Sequence, residues 1–142
     1  MIRLHFSTEI DAPPARVWAV LWDDATYRDW TSTFSPGSHA VSDWNEGSRV
    51  EFIDPSGSGM VAVIDRKVPD QLMVFRHVGE IRDGREQPSA DWAGALESYA
   101  LTTTPAGTAL AVAVDTADEH AESFREMFPK ALARVKALAQ HP

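Results

Sequence analysis

The sequence contains no cysteine in its 142 residues. That excludes disulfides, thiolate metal sites and cysteine nucleophiles together. It also lacks any apolar run near the ~20 residues that a membrane-spanning helix needs. The N-terminal "MIRLHFSTEI" alternates like a strand and has no long apolar stretch of the secretory-signal kind. Positive charge is scarce and scattered: 13 Lys and Arg stand against 21 Asp and Glu, for a net charge of −8. Such a surface repels nucleic acid phosphates and anionic membranes, so neither is expected as a partner. A cytoplasmic location fits these absences.

Signatures of chemistry are missing as well. There is no HExxH, no closely spaced histidine pair and no acidic loop of the calcium-binding kind, so no metal is expected. The "SGSG" at 56–59 is followed by a strand pattern, not by the helix that a GxSxG elbow requires. Glycine-rich phosphate cradles are absent, no cofactor is expected, and no catalytic residue emerges from any of these patterns.

What is present is a globular composition, 44% apolar and 24% charged. Ile2, Leu4 and Phe6 alternate with Arg3, His5 and Ser7, predicting a half-buried first strand over 2–10. "DAPPARVWAVLWDD" predicts a helix capped by Asp11, with Val17, Trp18, Leu21 and Trp22 as its apolar stripe. "DATYRDW" predicts a second short helix capped by Asp24. Period two then takes over, with strands near 38–44, 48–54, 59–68, 71–80, 92–104 and 107–115 separated mostly by short turn signals. The exception is 81–91, "IRDGREQPSAD", which reads as a longer polar loop. A long helix over about 117–139 closes the chain, with Thr116 or Asp118 as its cap. Phe124, Phe128, Ala131, Val135 and Leu138 form its apolar stripe, and Pro129 predicts a bend. The sum is an α+β architecture in which one long helix covers a large antiparallel sheet. One helix against so wide a sheet leaves space between them.

The stretch "GALESYALT", 94–102, raises the question of what that space holds. Alternation puts Ala95, Glu97, Tyr99 and Leu101 on one face, and this bulkier face is expected to point inward. A carboxylate there needs partners, because an unpaired buried charge costs several kcal/mol. His77 shares a face with Met73 and Phe75 on the neighbouring predicted strand. A hairpin centred on residue 87 sets His77 opposite Glu97 and Phe75 opposite Tyr99; a slip of two residues keeps the faces and changes the partners. An inward His–Glu pair serves either as a general acid and base or as two polar groups satisfying each other in a wet cavity. His5, His39, His120 and His141 read as exposed or terminal. Trp18 and Trp22 read as packed core; Trp30 and Trp92 fit either a cavity rim or the core.

The order of elements, with "IDAPPARVWAVLWD", "YRDW", "WNEGSRVEF", "LMVFRHVGEIRDG", "WAGALESYALT" and "FPKALARVKAL", resembles the START-like (SRPBCC) superfamily. Within it, the chain is most similar to the branch related to activators of the heat-shock chaperone ATPase. The resemblance spans essentially the whole chain and implies one START-like domain over 1–142 with the helix-grip fold. In that fold a seven-stranded antiparallel sheet curves around a long C-terminal helix, with two short helices after the first strand. It further implies a hydrophobic cavity between sheet and helix, opening near the two short helices. Superfamily members use it to bind lipids, sterols, polyketides or plant metabolites, and a few are cyclases, hydrolases or co-chaperones.

The leading expectation is therefore binding of a small hydrophobic or amphipathic molecule, with His77, Glu97, Tyr99, Phe75, Trp30, Trp92, Phe124 and Phe128 around it. One alternative is a hydrolase- or cyclase-type enzyme working on a hydrophobic substrate in the same cavity. Another is a co-chaperone-like interaction module whose protein partner the sequence leaves unknown. The sequence stops within two residues of the last predicted helix, so no linker to a second domain is expected, which weighs against this last reading.

Overall fold

Alternation in "IRLHFSTEI" builds β1 (Ile2–Ile10), which buries Leu4 and Ile10 and pairs along its whole length with the last strand. The computed structural model describes residues 1–88 and 93–141. Two short helices follow, α1 (Pro14–Trp22) and α2 (Asp24–Thr31). Then come β2 (His39–Val41), β3 (Arg49–Ile53), β4 (Gly59–Val68), β5 (Leu72–Arg82), β6 (Arg85–Pro88), β7 (Leu96–Thr104) and β8 (Gly107–Thr116). The chain finishes in α3 (Asp118–Gln140). All pairings are antiparallel, in the order β1-β8-β7-β5-β4-β3-β2, with β6 added to the end of β5. This is the helix-grip arrangement expected from the sequence.

The sheet has eight strands where seven were expected, because part of the 81–91 loop is a strand. Asp83 and Gly84 both hold positive φ, 51° and 77°, between the paired residues Arg82 and Arg85. Two left-handed residues in a row make the tight hairpin turn that matches strand twist, and Asp-Gly is among its preferred sequences. The helix starts also differ from expectation. Pro13, Asp23 and Ala117 occupy the cap positions, and none makes a side-chain capping bond. Helix α1 begins on Pro14, which has no N–H to cap. Asp24 lies inside the first turn of α2 and bonds Arg28 instead, at 3.0 Å. The Thr116 hydroxyl donates to the carbonyl of Ala117, 3.3 Å away.

Helix α3 buries Ala121, Phe128, Ala131, Leu132, Val135 and Ala139, a stripe of helical period, with Phe124 and Leu138 half-buried beside it. It lies along β1 and against both short helices. It runs through Pro129 as one element, with that proline exposed on the side away from the sheet. Polar ties hold it down, two of them made by arginines. Arg134 donates to both oxygens of Asp29 in α2, at 2.6 and 2.9 Å. The Arg16 guanidinium donates to the carbonyl of Leu138 at 2.9 Å, supplying a partner to the helix C-terminus. Leu110, Val112 and Val114 of β8 join the same core, as their alternation predicts.

Candidate functional site

Inward residues of β5 and β7 meet where the sheet passes under the start of α3. On β5 these are Met73, Phe75 and His77; on β7 they are Glu97, Tyr99 and Leu101, with Ala95 just before the strand, the face expected to turn inward. The register sets Phe75 opposite Glu97 and Met73 opposite Tyr99, the slip of two residues from the symmetric hairpin. At its far end β5 pairs with β6 instead of β7. His77 and Glu97 are thus diagonal neighbours, close enough for side chains to meet. His77 Nε2 lies 3.2 Å from Glu97 Oε1, and the Tyr99 hydroxyl donates to Glu97 Oε2 at 2.5 Å.

These groups line a cavity of about 260 Å³ between sheet and helices. Its wall is largely aromatic. Trp22 stands 5.0 Å from Tyr99 and 5.3 Å from Phe75, ring centre to ring centre, both edge to face. Tyr27 meets Trp30 at 5.5 Å, Phe52 meets Phe75 at 5.3 Å, and Phe34 meets Phe128 at 4.9 Å. Edge-to-face pairs brace one another at fixed angles, so the rings hold an opening instead of collapsing into it. At the other end Ser38, His39, Asp54 and Ser58 make a polar rim between the segment after α2 and the β3–β4 hairpin. Asp54 is held there by Ser56 and Ser58, whose N–H and hydroxyl groups keep its carboxyl below the usual range.

Electrostatics separates the members of the inner cluster. Burial pushes the Glu97 carboxyl upward, but the His77 hydrogen bond and charge, with the Tyr99 hydroxyl, bring it below its ordinary value. Burial, then the Glu97 charge, raises Tyr99 well above an ordinary phenol, and the same two causes raise Tyr27. At neutral pH the site thus holds a carboxylate with two protonated phenols near it. No group of three or more His, Asp or Glu among the described residues is placed to hold a metal ion.

Of the residues singled out from sequence, His77, Glu97, Tyr99, Phe75, Trp30, Phe124 and Phe128 all line this cavity. Trp92 lies outside the described residues. Trp30 belongs to the wall and not the rim: it is buried, and its indole N–H donates to the carbonyl of Leu21 at 3.1 Å. His39, expected to be exposed, is half-buried at the rim. Sequence reasoning missed Phe34 and Phe52 and treated Trp22 as core packing only. Phe52 was within reach, since it alternates with Glu51 and Ile53 in β3; Phe34 sits in a loop, where no period marks a face.

A family model described as "Activator of Hsp90 ATPase homolog 1-like protein" matches residues 11–140. Among solved structures, the Aha1 dimer from Colwellia psychrerythraea is 17% identical with a TM-score of 0.76, covering 99% of this chain and 98% of that one. A protein from Chromobacterium violaceum is 17% identical with a TM-score of 0.73, covering 99% of each chain. The AHSA1-like protein from Aeromonas hydrophila is 16% identical with a TM-score of 0.70, covering 99% of this chain and 97% of that one. At these identities the likeness is one of fold. A search of curated sequences found no significant match.

Proposed function

The chain belongs to the Activator of Hsp90 ATPase homolog 1-like family, and from that premise we propose that it binds a small hydrophobic or amphipathic molecule between its sheet and C-terminal helix. One observation carries the reading: an aromatic-walled cavity of about 260 Å³ with an ionised, partnered carboxylate at its inner end. Apolar walls with a few convergent polar groups are the usual make-up of a ligand site. A carboxylate is costly in a dry core but useful where it orients a ligand. The reading takes residues 1–142 as one START-like domain acting in the cytoplasm.

Native mass spectrometry of the purified protein, looking for a co-purified small molecule, tests this directly. Bound mass that disappears in a Phe75→Trp variant, which narrows the wall, supports the proposal. Absence of any bound molecule, with no thermal stabilisation by apolar compounds of matching size, sinks it.

The contact between His77 Nε2 and Glu97 favours a second reading, an enzyme that moves a proton in the same cavity. Its mark is a pH-dependent turnover that vanishes in both His77→Ala and Glu97→Ala. Family membership alone favours a third, a co-chaperone role; stimulation of a chaperone ATPase by the purified protein is its test.

A further inference from the structure

The inner end of the cavity offers an acceptor, and the described residues of its wall include no lysine or arginine to hold an anion. Within the His77–Glu97 pair, Glu97 is the member open to the cavity: its side chain is 21% exposed, against 5% for His77. A carboxylate has roughly four lone-pair directions. His77 takes one on Oε1 and Tyr99 one on Oε2, which leaves acceptor capacity on the group that a ligand meets first. Among the described residues that line the cavity there is no lysine or arginine, while a second carboxylate, Asp54, stands at the rim. The Trp22 indole N–H is a buried donor with no partner among the described residues, but it has almost no surface open to the cavity.

The rest of the wall points the same way. Trp22, Tyr27, Trp30, Phe52 and Phe75 present π-systems, whose faces are negative and attract cations. A cation lodged there has both a charge partner and polarisable walls. An anion meets two carboxylates, and the side chains there that can turn positive are two histidines: His77, which Glu97 already engages, and His39 at the rim beside Asp54.

Resting on the reading that this cavity binds a small molecule, we propose that its occupant carries a protonated amine, seated on Glu97 with its apolar body among the rings. Amphipaths that end in a carboxylate or phosphate are excluded. The ammonium donates to the acceptor capacity that His77 and Tyr99 leave on the Glu97 oxygens.

Three probes sharing one ring system test the inference: 2-naphthylmethylamine, 2-naphthylmethanol and 2-naphthoate, titrated into the protein by calorimetry at neutral pH. The amine is expected to bind at least about tenfold tighter than the alcohol, as a charge-assisted hydrogen bond should. Binding of 2-naphthoate is expected to be undetectable. In Glu97→Gln, with its fold checked by circular dichroism, the amine should fall to the affinity of the alcohol. The alcohol itself should change by no more than about threefold. An alcohol equal to the amine, a naphthoate that binds as well, or an amine preference that survives in a folded Glu97→Gln overturns the charge assignment while the cavity reading stands. Binding of none of the three to the folded wild type overturns both. Should Glu97→Gln fail to fold, the order of the three probes on the wild type decides alone.

Discussion

The two ends of the space under α3 are filled by different kinds of side chain. Toward its C-terminal half, Ala131, Leu132, Val135 and Ala139 meet Val17, Leu21 and other aliphatic residues of the core. Small and branched side chains interdigitate to crystal-like density, and there the interior is closed. Toward its N-terminal half, Phe124 and Phe128 face rings from α2, β3, β5 and β7, and there the cavity opens. Large flat side chains meet there, many of them edge to face, and the space among them stays open. One helix thus serves as a core element at one end and as a cavity wall at the other. Polar groups follow the same division: the Glu97 carboxylate lies at the open end, where cavity water or a ligand can reach it.

Phe128 stands at the boundary, stacked on Phe6 at 4.9 Å and buried, so the strongest challenge to this contrast is its removal. Phe128→Ala should cost ~3–5 kcal/mol in chemical denaturation. A loss under about 1 kcal/mol would show that the closed end does not begin there.

Next in size is Gly59→Ala, which attacks the open end through the backbone. A Cβ at Gly59 would stand 1.7 Å from the carbonyl oxygen of Phe52, so the β3–β4 hairpin must shift and carry Phe52 with it. The expected loss is on the order of 2 kcal/mol, together with altered ligand binding. Full stability with unchanged binding would mean that this hairpin does not shape the cavity.

Glu97→Gln should cost about 1–2 kcal/mol near neutral pH, since neutral hydrogen bonds replace charge-assisted ones. The pH dependence has a definite sign. The folded Glu97 carboxyl lies below its ordinary 4.5, so its ionised form stabilises the fold above that value. That contribution fades as pH falls through the folded value. Wild type and variant should therefore converge in acid, and thermal melts of both across that range check it. A gap that widens in acid would contradict the assigned pairing.

The smallest effect sharpens the comparison most. Phe124 is half-buried and already borders open space, so Phe124→Ala should cost about 1 kcal/mol or less while changing ligand affinity. Equal losses for Phe124→Ala and Phe128→Ala would erase the distinction between the two ends.

Much of this was legible before any coordinates. The period-two runs located seven strands and the inward face of those carrying His77, Glu97 and Leu110, because side-chain direction along a strand depends only on local geometry. That put Glu97, Tyr99, His77 and Phe75 on the inside, and helical spacing put Phe124 and Phe128 opposite them. The Asp-Gly dipeptide at 83–84 was an available signal for β6 that the polar character of 81–91 concealed. Other features had no local signal. A two-residue slip leaves every residue on its face, so alternation could not choose between Phe75 and His77 as the partner of Glu97. Nor could it show that rings from α1, α2, β3, β5 and β7 brace one another around empty volume, or that Ser38, His39, Asp54 and Ser58 converge into a rim. Which way a side chain points is a property of its own strand. Register and volume depend on contacts between segments far apart in sequence, and only the tertiary structure decides them.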